Sequence, residues 1–332
     1  MHRESAFWDP GWQNPALRLP AGVPAPGVTR AGDNERVSRR IAPVPPSPLQ
    51  EAADDRLARH GVRLLLKRDD LIHPDLPGNK YRKLRLNLDA AVEAGHDTLL
   101  TFGGAYSNHL RATAAAGRLL GLRTVGVVRG DELAGRPLNP SLARAAADGM
   151  RLDFVDRATY RRKTDPAVLA ALLARHGPAY VLPEGGSNAL AARGCADLGR
   201  ELRTSADVVA VPCGTGGTLA GLAAGLAGGP EAIGFAVLRG GFLPAEVLRL
   251  QEAAFGGLRG RWRVEDGFQH GGYARTSAEL DAFAADFDAR HGGLLGRPVD
   301  RVYVAKMLFG VFALAEARAF RTGTRVAAVI TG

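Results

Sequence analysis

Two lysines three residues apart, Lys80 and Lys83, follow Gly78-Asn79 in a chain where lysine is scarce: its 43 basic residues comprise 38 arginines and only five lysines. If a helix begins at about Lys80, the two amines share one face of its first turn, where a cation opposes the helix dipole. A bound anion would relieve that conflict. So would conversion of one amine to a Schiff base with a carbonyl cofactor, while its neighbour faces a phosphate. Taken alone, the loop reads more simply as two solvated surface lysines.

A second segment sharpens the choice. Val209-Ala210-Val211-Pro212-Cys213 has the apolar run of a buried strand, and Gly214-Thr215-Gly216-Gly217-Thr218 turns it into an Ala/Leu/Gly-rich helix. Backbone N–H groups at such a strand-to-helix turn enclose phosphates, and the two threonines add hydroxyl donors. The spacing is not a dinucleotide fingerprint, since Leu219 stands where the third glycine belongs, and no lysine follows the last glycine as in a P-loop. A small phosphorylated cofactor suits this turn better than tight strand–helix packing alone does. Two further turns carry polar groups. In Gly103-Gly104-Ala105-Tyr106-Ser107-Asn108-His109, the free N–H groups of a first helical turn suit a substrate carboxylate. In Pro183-Glu184-Gly185-Gly186-Ser187-Asn188, a helix cap explains the residues about as well as a function does.

These loops need elements to hold them, and the 332 residues, 46% apolar and 23% charged, are enough to bury a sizeable core. The first forty residues carry five prolines and no apolar periodicity, which predicts an extension that is disordered or draped on the surface. From Pro43, Pro45, Pro46 and Pro48 onward, strand-like segments (Val62 to Lys67, Thr98 to Phe102, Arg123 to Val128, Arg151 to Val155, Asp207 to Val211, Ile233 to Val237, Arg325 to Ile330) alternate with helix-like ones. The helix-like segments run Leu84 to Ala94, His109 to Leu120, Leu142 to Asp148, Pro166 to Arg175, Leu219 to Leu226, Ala245 to Ala254, Ala278 to Asp288 and Leu308 to Arg321. That rhythm predicts an α/β fold of open, mostly parallel sheets flanked by helices, with ligands at the strand-to-helix loops. Two cysteines, Cys195 and Cys213, exclude a disulfide framework and a multi-cysteine metal site, so a reducing cytoplasm is expected and no metal. The longest apolar runs, such as Leu219 to Gly228, fall short of the roughly 20 residues that span a bilayer. Nothing resembling a signal peptide opens the chain. The net charge of +9 is spread through the chain as arginine rather than gathered into a basic run, which speaks against nucleic-acid binding.

Together the motifs resemble a family. Lys67-Arg68-Asp69-Asp70, Gly78-Asn79-Lys80 with Lys83, Gly103-Gly104 with Ser107-Asn108-His109, Pro183-Glu184-Gly185-Gly186, Gly214 to Thr218, Gly272-Tyr273, and Val302-Tyr303 with Lys306 occur in the order found in one group of enzymes. The chain from about Pro45 to its end is similar to the pyridoxal-phosphate enzymes of the 1-aminocyclopropane-1-carboxylate deaminase and D-cysteine desulfhydrase family. The resemblance implies the fold-type II architecture, like that of the tryptophan synthase β subunit: two α/β domains with the cofactor between them, usually in a homodimer. On this reading residues 41–95 and 196–332 form the large cofactor-binding domain and residues 96–195 the small one, with residues 1–40 outside both.

Carried over position by position, the resemblance implies that Lys80 is the lysine joined to pyridoxal 5'-phosphate and Lys83 a phosphate partner. Cys213, Gly214, Thr215, Gly216, Gly217 and Thr218 would surround the phosphate, and Asn108 would bond the cofactor's phenolic oxygen. Ser107, Asn108 and His109 would meet the substrate, with Ser107 also in proton transfer, and Tyr273 and Tyr303 would stand near its Cα and Cβ. The tyrosine matching Tyr303 is followed by Glu in the deaminases, where it pairs with the pyridine nitrogen; here Val304 and then Ala305 follow. Thr331, in the terminal Ile330-Thr331-Gly332, would give that nitrogen a neutral hydrogen bond. A hydroxyl partner suits β-elimination, where the leaving group relieves the carbanion. The expected activity is therefore desulfhydrase-like, turning a small amino acid such as D-cysteine into pyruvate, ammonia and sulfide, ahead of cyclopropane deamination. The other class to weigh is a non-catalytic relative that binds an anion or a protein partner, against which the presence of Lys80 argues.

Overall fold

The computed structural model describes residues 41, 46–76 and 78–331. The expected N-terminal extension, residues 1–40, and Pro43 and Pro45 of the proline-rich entry lie outside the described residues. In chain order the elements are β1 (Leu49–Ala52), α1 (Asp55–Ala58), β2 (Arg63–Lys67), α2 (Asn79–Glu93), β3 (Thr98–Gly103), α3 (Asn108–Leu120), β4 (Arg123–Arg129), α4 (Pro140–Ala147), β5 (Met150–Val155), α5 (Arg157–Arg161), α6 (Pro166–His176) and β6 (Tyr180–Val181). There follow α7 (Ala189–Leu202), β7 (Val208–Cys213), α8 (Gly217–Leu226), β8 (Glu231–Ala236), α9 (Leu243–Phe255), β9 (Trp262–Glu265), α10 (Ala278–Leu295), α11 (Val304–Glu316) and β10 (Arg325–Val329). The described chain divides into two units, one of residues 46–83 and 187–331, the other containing Leu84–Gly186.

The smaller unit is built on a four-stranded sheet in the order β5-β4-β3-β6, parallel throughout. Strand β3 is buried along its whole length, as a parallel strand covered on both faces must be. Leu100, Phe102, Val125 and Val127 pack with Leu169 and Leu172, while Leu110, Ala114, Val128 and Leu142 form a second cluster with Met150.

The larger unit carries a six-stranded sheet in the order β1-β2-β10-β7-β8-β9. Only β1 runs antiparallel to its neighbour; the other four pairings are parallel. The fold is thus α/β with mostly parallel sheets, as the alternating segments predicted. One core cluster gathers Leu64, Leu66, Phe235, Phe287, Val311 and Val326, and another Leu198, Val209, Val211, Leu219, Leu222 and Val247. Because β2, β10 and β7 are adjacent and parallel, their carboxyl ends lie on one edge of the sheet. That edge is where ligands of open α/β sheets bind.

Helix α7 is absent from the segments read off the sequence, and its partner α8 explains why. Alanines and glycines take the contact positions in place of larger apolar residues. A Cβ on Gly221 would come 2.1 Å from the Ala192 carbonyl oxygen, and one on Gly225 would come 2.0 Å from that of Ala196. The two backbones touch, so no stripe of large side chains marks the contact. Among the described residues no helix is long and apolar enough to cross a membrane.

Candidate active site

Helix α2 starts at Asn79 and presents Lys80 and Lys83 in its first turn, as expected. What fixes its rotation is Arg82, roughly opposite Lys80 at 100° per residue. The Arg82 guanidinium donates to both carboxylate oxygens of Asp69 at 2.8 Å and to both of Glu201 at 2.9 Å. Glu201 also pairs with the Lys67 amine at 2.6 Å, and the Ser47 hydroxyl donates to Asp69 at 2.6 Å. Ser47, Lys67, Asp69 and Arg82 are all buried. A bidentate network of this kind holds planar geometry that no isolated contact could. It explains the Lys67-Arg68-Asp69-Asp70 segment as the mount of α2, with Arg68 gripping Asp70 and the carbonyls of Leu294 and Leu295.

So mounted, Lys83 meets hydroxyls of the glycine turn and its surroundings directly, and Lys80 is linked to one through Asn79. The Lys80 amine donates to Asn79 Oδ1 at 3.2 Å, and the Asn79 amide donates in turn to Thr218 Oγ1 at 2.9 Å. The Lys83 amine donates to Ser187 Oγ at 2.8 Å and to Thr215 Oγ1 at 3.4 Å, and those two hydroxyls lie 2.5 Å apart. Burial, and after it the like charge of Lys83, pushes the Lys80 ammonium down to about 7. Burial also lowers Lys83 from its ordinary value. Lys80 is therefore an amine available as free base near neutrality, with a second cation beside it.

The turn itself is shaped for an anion. Gly216 adopts φ +75°, which favours glycine, and opens the ten-residue helix α8 without capping it through a side chain, while the Gly217 N–H donates to the Thr215 carbonyl at 2.9 Å. A Cβ on Gly217 would fall 2.6 Å from Ser187 Oγ and 3.4 Å from Lys83 Cε. Cys213 ends β7 with its thiol buried beside the Gly234 backbone, donating weakly to the Val211 carbonyl; burial pushes it up to about 12, so it enters no reaction as thiolate. Its backbone is what it offers the turn.

Tyr303 precedes α11 and Tyr273 lies on the loop before α10; their rings meet edge to face, centroids 6.0 Å apart. Gly214 faces the same ring, since a Cβ there would stand 3.6 Å from Tyr303 Cε1. The Asp300 carboxylate accepts from the N–H groups of Val302, Tyr303 and Val304, which starts α11 at Val304 and not at Leu308 as the apolar pattern indicated. Val304 is buried and offers no polar atom from its side chain. Thr331 is buried two residues past the end of β10, whose pairing with β7 runs as far as Ala328 with Ala210.

The smaller unit holds the remaining residues. Ser107 is the N-cap of α3, accepting from the Leu110 N–H at 3.3 Å, and half-buried Asn108 is the first helical residue. His109 is buried and bonds Thr101 Oγ1 through Nε2 at 2.8 Å. Thr101 gives its proton to the Leu182 carbonyl at 3.1 Å, so His109 Nε2 is the donor. The ring packs under Gly186, where a Cβ would come within 2.8 Å of it. Glu184, next in that turn, accepts from the Tyr160 hydroxyl at 2.8 Å and pairs with Lys163 at 3.2 Å. Ser187 is the residue that sequence reasoning undervalued: it was grouped with a helix cap, yet Asn188 does the capping and Ser187 reaches Lys83 and Thr215. Its place between a glycine pair and the cap was the one signal available.

A desolvated amine, a second cation, three hydroxyls and a glycine turn with no side-chain cap suit a phosphorylated aldehyde, which needs a nucleophile at one end and anion donors at the other. Comparison with known proteins agrees. Residues 42–245 match the family model described as pyridoxal-phosphate dependent enzyme, and the chain belongs to that family. It is 33% identical over 292 residues to a D-cysteine desulfhydrase of Klebsiella pneumoniae, an alignment covering 80% of this chain and 85% of that one. It is 35% identical over 184 residues to the mitochondrial bifunctional D-cysteine desulfhydrase/1-aminocyclopropane-1-carboxylate deaminase of Arabidopsis thaliana; that match covers 50% of this chain and 45% of the relative. A crystal structure of an ACC deaminase homologue superimposes with a TM-score of 0.75 at 26% identity, covering 90% of this chain and 94% of that one.

Proposed function

We propose that the protein is a lyase of small amino acids with D-cysteine desulfhydrase-like activity, and that the lowered amine of Lys80, beside Lys83 and the Gly214 to Thr218 turn, is what carries this reading. Bound pyridoxal phosphate supplies the electron sink for a bond broken at Cα. Lys80, about half in its free-base form at pH 7, would be the amine that holds the cofactor's carbonyl end and the base placed to take the Cα proton. Lys83, Ser187, Thr215 and Thr218 hold the phosphate together with the N–H groups that open α8. The phenols of Tyr273 and Tyr303 move a proton at the leaving sulfur. Ser107 and Asn108 keep the roles the resemblance gives them, at the substrate carboxylate and the phenolic oxygen, and His109 supports that loop from within. The net change is cysteine plus water to pyruvate, ammonia and hydrogen sulfide.

Val304 and Thr331 favour elimination over ring opening. With an apolar side chain at 304 and Asp300 engaged by three backbone N–H groups, a neutral hydroxyl is the partner left for the pyridine nitrogen. A weaker sink suits a reaction in which thiolate departs from Cβ better than ring opening with no Cα proton to remove. Two free buried cysteines support a reducing cytoplasm, and the family resemblance supports a homodimer, which sedimentation of the purified protein tests. The deciding assay is a panel of D- and L-amino acids and 1-aminocyclopropane-1-carboxylate, scored for keto acid, ammonia and sulfide. D-cysteine is expected to release all three. Turnover of the cyclopropane with none of D-cysteine would reverse the substrate order, and a cofactor-loaded protein inert to the whole panel would favour a binding role.

A further inference from the structure

Lys306 is a fifth lysine that the reading above does not use, and the chain buries it completely. Its ammonium donates to the Gly272 carbonyl oxygen at 2.7 Å. Gly272 immediately precedes Tyr273 in a loop of left-handed backbone: Gly271 and Gly272 have φ of +93° and +105°, which glycine adopts freely, and the strain sits at His270 and Ala274, which hold +45° and +54° although neither is glycine. Lys306 also lies three residues after Tyr303, one turn along α11. One side chain thus ties the start of the helix that presents Tyr303 to the peptide that presents Tyr273. Burial brings the Lys306 ammonium down to about 8, against which Asp300, whose carboxylate accepts from the N–H groups at the start of α11, favours the charge.

Resting on the reading of the two tyrosines given above, we propose that Lys306 is a positioning residue: it holds the Gly272 carbonyl, between the strained His270 and Ala274, so that the Tyr273 phenol stays against Tyr303. A strained segment persists only where its surroundings over-determine it, and a buried charge-assisted hydrogen bond is such a constraint. Leucine or methionine would fill the space equally well, so an amine at this place is explained by the carbonyl it grips.

The test compares Lys306→Met, Lys306→Gln, Tyr273→Phe and the double variant Lys306→Met/Tyr273→Phe in the cofactor-loaded protein with D-cysteine. Amide hydrogen exchange of residues 267–277 is the readout independent of activity. Lys306→Met is expected to raise exchange in that segment and to lower kcat about 10- to 100-fold, with KM and pyridoxal phosphate retention changed less than about threefold. Lys306→Gln, which keeps an N–H for the carbonyl, should recover part of the rate. The double variant should be no slower than the slower single one, since both act through the same phenol. Unchanged exchange at 267–277 in Lys306→Met, or losses that multiply in the double variant, would overturn the positioning role. A fully active Tyr273→Phe would instead refute the reading of the tyrosines, and the role of Lys306 would fall with it even where the loop is loosened.

Discussion

At the scale of single residues, the site depends on lowering one amine. Burial and the like charge of Lys83 bring Lys80 to about 7, so its free base forms in the physiological range and not near the ordinary lysine value of 10.5. The rate of cofactor capture by apoprotein is therefore expected to rise with pH, half-maximal near 7, and to level off above. Lys83→Met removes a like charge and should move that midpoint upward. It also removes a charge-assisted donor worth about 1.5–3 kcal/mol, so pyridoxal phosphate retention should fall about 10- to 100-fold in a dialysis assay. A midpoint that stays in place would mean that desolvation alone sets the amine. The pair Lys80 and Lys83 was legible in the sequence because lysine is rare and the spacing is one helical turn. Ser187 was not, since its contact with Lys83 spans 104 positions and leaves no local pattern.

At the scale of elements, the glycines decide where the turn sits. Helices α7 and α8 approach so closely that Gly221→Ala would drive a Cβ to 2.1 Å from the Ala192 carbonyl oxygen. Overpacking of this kind costs about 1–3 kcal/mol, read as a melting temperature lower by about 2–4 °C for each kcal/mol. Gly217→Ala is expected to act differently. Its Cβ meets the side chains of Ser187, at Oγ and at Cβ 3.0 Å away, and Lys83 rather than backbone, so Ser187 should shift and the phosphate lose its place while the fold survives, with retention down about tenfold or more. Equal effects of the two on stability and retention would contradict this separation of packing from binding. The strand-to-helix turns were readable from Gly, Thr, Ser and Asn. Helix α7 was not, because backbone contact takes the place of an apolar stripe, and α11 opened four residues early because Asp300 caps it.

At the scale of the whole molecule, several buried lysines leave a mark on stability. Lys80, Lys83 and Lys306 are each lowered, in every case by burial first, with Lys306 brought to about 8. A lysine whose folded value lies below its unfolded value costs the fold its buried charge, and stability rises with pH wherever the unfolded chain binds the proton and the folded one does not. The penalty is complete below the folded value and is relieved as pH rises toward 10.5. Tyr180 works the other way: burial raises it, so the stability it contributes is present below 10.0 and is lost as pH rises through its folded value. Apoprotein stability should consequently increase from about pH 7 to about 9 or 10 and then turn over in urea titrations. Loading with cofactor should flatten the rise, because Lys80 no longer titrates as an amine. The α/β class and the parallel sheets were legible from alternation of segments. The long-range order β2-β10-β7 was not, because strand neighbours far apart in sequence are chosen by packing.

On the proposed function, Lys80, and no other of the five lysines, joins the carbonyl of pyridoxal phosphate while the Gly214 to Thr218 turn holds its phosphate. Borohydride reduction of the loaded protein, followed by digestion and mass spectrometry, measures this directly. The expected result is a single peptide carrying reduced pyridoxal phosphate on Lys80, with the label lost in Lys80→Ala. Label on Lys83 or Lys306, or a protein that takes up none at all, would contradict it.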